Sequence, residues 1–216
     1  MYQLAIFDLD GTLLDTLDDL ADSVNMALSE YGLPPRTREE VRDATGTGTD
    51  NLIRLSVPEG TPAEITAQVT KFYRRWYGEH YNVKTKPYEH IREMLDALRA
   101  GGCRIAVLTN KMEDVAQELC ASHLEFLPDL IVRGQKAGMP LKPDPAPVLA
   151  IMEEAGIGRE QTIYIGDSEV DVATARNTGI KCMSCTWGFR SRAQLVEAGA
   201  ENILDTPLLL VTEILK

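Results

Sequence analysis

The sequence predicts an α/β fold: a Rossmann-like, doubly wound parallel sheet core with an inserted α-helical domain. Three observations carry that prediction. Five short apolar runs of strand length recur along the chain, and apolar residues at helical spacing lie between them. Several of the runs are apolar without interruption, the pattern of parallel strands covered on both faces. The alternation then fails from about residue 16 to residue 83, where helical patterns follow one another with no strand between them.

Taken in order, "LAIFDL" (Leu4 to Leu9) is the first strand. The insert follows at once: Leu17, Leu20, Val24, Ala27, Leu28 and Tyr31 recur at helical spacing. Further on, "TPAE" (Thr61 to Glu64) reads as an N-cap, a first-turn proline and a capping-box glutamate. Behind it Ile65, Val69, Phe72, Tyr73 and Trp76 form a stripe read as core packing. The core resumes with a helix over about Tyr88 to Ala100, stopped by Gly101-Gly102, then the strand "CRIAVLT". A helix over about Glu113 to Ser122, the strand "DLIVRG", a helix from Asp144 to Ala155, and the strands "TIYIGD" and "KCMSCTW" complete it. Residues 1–15 and 84–216 are thus expected to form the core, and residues 16–83 the insert.

Composition narrows the classes of function. With 216 residues, 44% hydrophobic and 25% charged, the chain has the make-up of an ordinary globular protein. No run of about 18 apolar residues is present, and "MYQLAIFD" lacks the features of a signal peptide, so a cytoplasmic location is expected. The net charge of −11 argues against nucleic acid or an anionic membrane as partner. An anionic ligand would therefore need local positive charge. In that location Cys103, Cys120, Cys182 and Cys185 read as reduced thiols, and the C-x-x-C pair falls on a strand, where an odd spacing sends the two to opposite faces and disfavours a metal or redox role.

Four polar clusters become informative through their positions. "DLDGT" follows the first strand, "TNK" (Thr109 to Lys111) the second, and "GDSEVD" (Gly166 to Asp171) the strand "TIYI", while "LKPDP" (Leu141 to Pro145) precedes a helix. Ligands of open parallel sheets bind outside the carboxyl ends of the strands. Asp and Gly also punctuate turns, but four such clusters in this order exceed punctuation. Asp8 and Asp10 are two apart at a strand end, so both project toward one site. "TGTGTD" is no P-loop, since no Gly-Lys-Ser/Thr follows, and "GDS" is no nucleophile elbow.

On these residues the chain resembles the haloacid dehalogenase-like superfamily of phosphohydrolases. "DLDGT" is similar to its first motif, Thr109 to its second, Lys142 to its third and "GDSEVD" to its fourth. The insert is similar to the α-helical cap of the subclass that contains phosphoglycolate phosphatases and β-phosphoglucomutases. The resemblance implies Asp8 as a nucleophile forming an aspartyl-phosphate and Asp10 as the acid/base. It implies Mg²⁺ as cofactor, held by Asp8, the Asp10 carbonyl and Asp167, with Asp171 supporting the site through waters or Lys142. Gly11 and Thr12 would turn the chain and offer amides. Thr109 would bind phosphate by its hydroxyl and Asn110 by its amide, at the start of a helix near Lys111, and Lys142 would stabilise the transferring charge.

The implied substrate is a small phosphorylated metabolite, 2-phosphoglycolate before others, acted on by a monomer or homodimer. β-Phosphoglucomutase or inorganic pyrophosphatase activity on the same fold stays open, as does, remotely, a phospho-accepting signalling domain. Dehalogenation is disfavoured because it has no use for Asp10. Discrimination is expected from the insert loop Gly46 to Arg54, with its glycines admitting close approach and Arg54 pairing with a substrate carboxylate.

Overall fold

The structure, a computed structural model, describes residues 1–216. In chain order, β1 (Leu4–Phe7) and β2 (Leu14–Asp15) lead into α1 (Leu17–Glu30), α2 (Arg38–Ala44), α3 (Thr49–Ser56) and α4 (Ala63–His80). Then come β3 (Lys86–Pro87), α5 (Ile91–Ala100), β4 (Arg104–Met112), α6 (Glu113–His123), β5 (Ile131–Gln135) and α7 (Ala146–Ala155). The chain ends with β6 (Thr162–Gly166), α8 (Glu169–Thr178), β7 (Lys181–Cys185), α9 (Arg192–Glu197), β8 (Ile203–Leu204) and α10 (Pro207–Leu215).

Six strands form one parallel sheet in the order β5-β4-β1-β6-β7-β8. The chain winds outward from β1 to one edge and then returns to wind toward the other. The reversal leaves a crevice at the carboxyl ends of β1, β4 and β6. Period-two alternation divides the strand residues between two cores. Ala5, Phe7, Ile105, Val107, Ile163 and Ile165 belong to a cluster with α5, α6 and α10, whereas Leu4, Ile6, Ala106, Leu108 and Tyr164 join α7 and α8. Cys182 packs against this second cluster, while Cys185 lies on the other side near Thr12, as the odd spacing requires.

Three details depart from expectation. Strand β4 runs through Thr109-Asn110-Lys111 to Met112, and α6 starts at Glu113, because Met112 still pairs with Gln135 after a register shift. "TPAE" makes no capping box: Pro62 is the cap residue, and the Thr61 hydroxyl donates to Pro58 O at 2.7 Å, closing the preceding turn. A capping box does form earlier in the insert, at Thr37 and Glu40 of α2. The aromatic stripe also divides. Val69, Tyr73 and Tyr77 are the buried face of α4, while Phe72 and Trp76 stack on each other, partly exposed.

The two junctions of the insert pair with each other. β2 and β3 form an antiparallel ribbon, with Leu14 opposite Pro87 and Asp15 opposite Lys86. The buried Asp19 carboxylate of α1 accepts from the amides of Val83 (3.0 Å), Lys84 (3.0 Å) and Thr85 (2.9 Å) and from the Thr85 hydroxyl (2.8 Å). One side chain thereby satisfies three consecutive amides of the returning chain.

Candidate active site

After β1 the chain turns sharply, with the amides of Leu13 and Leu14 both donating to Leu9 O. Gly11 has φ +79°, and a Cβ there would stand 2.3 Å from an Asp167 oxygen, so no other residue fits. Trp187 Nε1 donates to Thr12 O at 3.0 Å and pins the turn. Asp8 and Asp10 emerge from it beside the ends of β4 and β6.

Asp8, Asp167 and Asp171 are buried, with one carboxylate oxygen of each within 4.8 Å of the others. Lys142 lies beneath, its ammonium 2.9 Å from Asp8 Oδ2 and 2.7 Å from Asp171 Oδ1. Asp171 Oδ2 accepts from the Ser168 hydroxyl (2.6 Å) and amide (3.1 Å). Both Asp171 oxygens are therefore engaged, one of them with Lys142. Asp167 accepts from the Thr12 hydroxyl at 3.0 Å and the Phe189 amide at 2.7 Å. Asp8 Oδ1 accepts from the Leu9 amide at 2.7 Å.

This concentration of like charge has a cost. Burial, then the neighbouring Asp171, pushes the Asp167 carboxyl up to about 7. Burial also pushes Asp8 well above the usual carboxylate range, the other acids adding to it and Lys142 opposing. Lys142 is buried, which disfavours its charge, but Asp171 and Asp8 outweigh burial and keep it an ammonium. A buried cluster of acids that burden one another in this way fits a small divalent cation such as Mg²⁺.

A cavity of ≈ 60 Å³ opens above these groups. Its core wall includes Asp8, Asp10, Thr109, Asn110, Lys111 and Asp167, and its insert wall includes Gly46, Gly48, Thr49, Leu52, Tyr73 and Tyr77. Asp10 accepts from the Thr16 hydroxyl at 2.6 Å and from the Lys111 ammonium at 2.8 and 3.1 Å. The Asn110 side chain is a clamp. Its Nδ2 donates to Gly46 O at 2.9 Å and Lys142 O at 3.0 Å, while its Oδ1 accepts from the Lys142 amide at 2.9 Å. Arg190 completes the grip on the insert, donating to Arg42 O and Thr45 O at 3.0 Å each while its other bonds go to Glu169 at 2.8 and 3.1 Å.

Gly46 reaches the cavity as expected, but Arg54 does not. α3 buries Thr49, Leu52, Ile53 and Ser56, which turns Arg54 outward, where its guanidinium bonds Asn51 Oδ1 at 2.9 and 2.6 Å. The cations on the wall are instead Lys111 and Arg190. Lys111 carried a signal, since it stands two residues after Thr109 on one strand, the same spacing as Asp8 and Asp10. Arg190, Phe189 and Tyr77 carried only weaker ones, the first two in the loop leaving β7 and the last on an apolar helix face.

Comparison with known proteins agrees with this arrangement. A family model described as "Haloacid dehalogenase-like hydrolase" matches residues 5–185. Phosphoglycolate phosphatase of Nitrosospira multiformis is 34% identical over 207 residues, covering 93% of this chain and 90% of the relative. That of Haemophilus influenzae is 31% identical over 220 residues, covering 98% and 97%. A crystal structure from Lactobacillus delbrueckii subsp. bulgaricus, provisionally assigned as a phosphoglycolate phosphatase, superposes with a TM-score of 0.93 at 31% identity, covering 99% and 98%. The chain belongs to the haloacid dehalogenase-like hydrolases and is a phosphatase-type enzyme similar to phosphoglycolate phosphatases.

Proposed function

We propose that this haloacid dehalogenase-like hydrolase is a Mg²⁺-dependent phosphomonoesterase that works through an aspartyl-phosphate on Asp8, with 2-phosphoglycolate as substrate. The observation that carries the reading is the convergence of Asp8, Asp10, Asp167, Lys142 and Thr109 on the carboxyl ends of three neighbouring strands.

Asp8 and Asp167 would hold the cation with the Asp10 carbonyl, and Asp171 would act on it only through Lys142. When bound, Mg²⁺ supplies positive charge against the phosphoryl oxygens and relieves the crowding of the acids. The chain's own groups do the rest. An Asp8 oxygen attacks phosphorus in line, the bond to the ester oxygen breaks, and Asp10 gives that oxygen its proton. Water then attacks the same phosphorus, Asp10 takes its proton, and the bond to Asp8 breaks, releasing inorganic phosphate. Thr109 and Lys142 stabilise the equatorial charge in both steps.

Residues 16–83 act in this reading as a cap hinged on the β2–β3 ribbon, closed here by Asn110 and Arg190, and its closure excludes water from the transfer. The cavity of ≈ 60 Å³ is small beside the roughly 300–1,000 Å³ of ordinary ligand pockets, which favours a small ester over a larger phosphate. The names of the relatives, at 31–34% identity over nearly the whole chain, favour 2-phosphoglycolate within that size. The test is a panel of phosphate esters with released phosphate as readout. The highest kcat/KM is expected for 2-phosphoglycolate, and a preference for pyrophosphate, a nucleotide or a hexose phosphate would overturn the substrate while leaving the Asp8 chemistry standing.

A further inference from the structure

We propose that Lys111, with Tyr77, is the specificity determinant that recognises a second anionic group of the substrate, a carboxylate beside the phosphoester. This assignment rests on the phosphatase reading above and gives the role that the sequence suggests for Arg54 to other residues.

Of the two cations on the cavity wall, Arg190 is committed. Its guanidinium is divided among Glu169 and the carbonyls of Arg42 and Thr45, so its charge neutralises an acid and its donors close the insert. Lys111 is differently placed. An ammonium has three donors, and the protein gives this one a single acceptor group, the Asp10 carboxylate. Its other neighbour is the ring of Tyr77, whose centroid lies 4.7 Å from Nζ. The side chain is 3% exposed, so solvent does little to satisfy the remaining donor.

Tyr77 supplies an independent observation. It lines the same cavity, is 1% exposed, and its hydroxyl has no hydrogen-bond partner. Burial, then Asp10 and Asp19, pushes that phenol well above its usual range, so it stays a hydroxyl able to donate and not a phenolate. A buried hydroxyl left unpaired is costly, and a ligand acceptor removes the cost. α3 adds further donors: it starts after Gly48 with no side-chain cap, and Gly48 and Thr49 both line the cavity. This lobe is rich in unsatisfied donors, the complement of a carboxylate.

The spacing agrees. Two residues along a strand span about 6.5 Å, so Thr109 and Lys111 bracket a distance on the scale of a two- or three-carbon ester. Lys111 comes from the sheet and Tyr77 from the insert, so the carboxylate lobe is complete only when the insert is closed.

The test compares kcat/KM for 2-phosphoglycolate with that for ethyl phosphate, which has the same carbon count and no carboxylate. Taking the ratio divides out any loss that follows from releasing Asp10, since that loss falls on both esters. Lys111→Met should lower the ratio at least about 10-fold, the scale of a lost charge-assisted hydrogen bond. Lys111→Arg should retain part of it, Tyr77→Phe should lower it about 3-fold, and Arg54→Ala should leave it unchanged. Circular dichroism and thermal melts confirm folding, and Lys111→Gln carries the same reading should the methionine variant not fold. A Lys111→Met ratio within twofold of wild type overturns the assignment while sparing the substrate. A wild-type enzyme with no preference for the carboxylated ester overturns the substrate reading, and this one with it, before any variant is measured.

Discussion

On the sheet side of the cavity, Asp8, Asp167 and Asp171 each hold at least two partners, and Lys142 bridges two of them. On the insert side, Tyr77 keeps an unpaired hydroxyl and α3 an uncapped first turn, and the polar contacts that hold the loop in place reach its backbone carbonyls. The difference follows from what each wall must do. Phosphoryl chemistry is common to all phosphomonoesters and rewards a fixed array, in which misplacing one charge strands the rest. Recognition of the remainder of a substrate needs donors held in reserve, and a closure that depends on carbonyls survives changes in the side chains around it.

The sheet wall should therefore be the intolerant one. Asp8→Asn is expected to remove at least about 10⁴-fold of phosphate ester turnover with an unchanged circular dichroism spectrum. Turnover above a few per cent of wild type would break the assignment of Asp8. Chelation by EDTA should abolish activity and Mg²⁺ restore it, whereas Ca²⁺ should not, because its larger coordination number draws Asp8 into bidentate ligation. Full activity in rigorously metal-free enzyme would remove the reason for the acid cluster.

Stability without metal should respond to pH with an unusual sign. Asp167, at about 7 in the folded chain, keeps a proton there that the unfolded chain has already lost above about 4. In that window the folded state binds more protons, so stability falls as pH rises from 4 to 7. Melts in EDTA should show a lower Tm at pH 7.5 than at pH 5, with Mg²⁺ narrowing the gap. A Tm that rises across that range would contradict the crowding of the acids.

The insert, and the core groups that hold it, should give smaller and more selective effects. Arg190→Ala removes the bonds to Arg42 O and Thr45 O, and should lower kcat/KM about 10-fold, chiefly through KM, as read by steady-state kinetics. Arg54→Ala should change every constant less than about twofold, since an exposed residue bonded within its own helix contributes little.

Most of the sheet was legible because both-faced burial leaves uninterrupted apolar runs such as Leu4 to Phe7. β2, β3 and β8 were not, since each is two residues long and exists only through its partner strand. Asp8, Asp10, Thr109, Lys142 and Asp167 were legible because turn formation alone does not call for acids, a threonine and a lysine in short motifs spaced around the ends of strands. Arg54 misled because α3 carries apolar residues on more than one face, Leu55 being 47% exposed. Which face looks inward is set by docking of the insert, a tertiary fact. Arg190 was missed for a related reason: its partners are backbone carbonyls and an acid 21 positions away, and neither leaves a periodic mark.

The ribbon at the base of the insert has an evolutionary consequence. Asp15 and Lys86 face each other as paired residues, so the insert leaves the core and rejoins it at one place. A module attached in that way can be exchanged whole without altering the strand order or the acids at the strand ends. A chimaera spliced at these two residues, carrying another insert of similar span, should keep the acids at the strand ends and Lys111, and exchange Tyr77 with the rest of the insert wall.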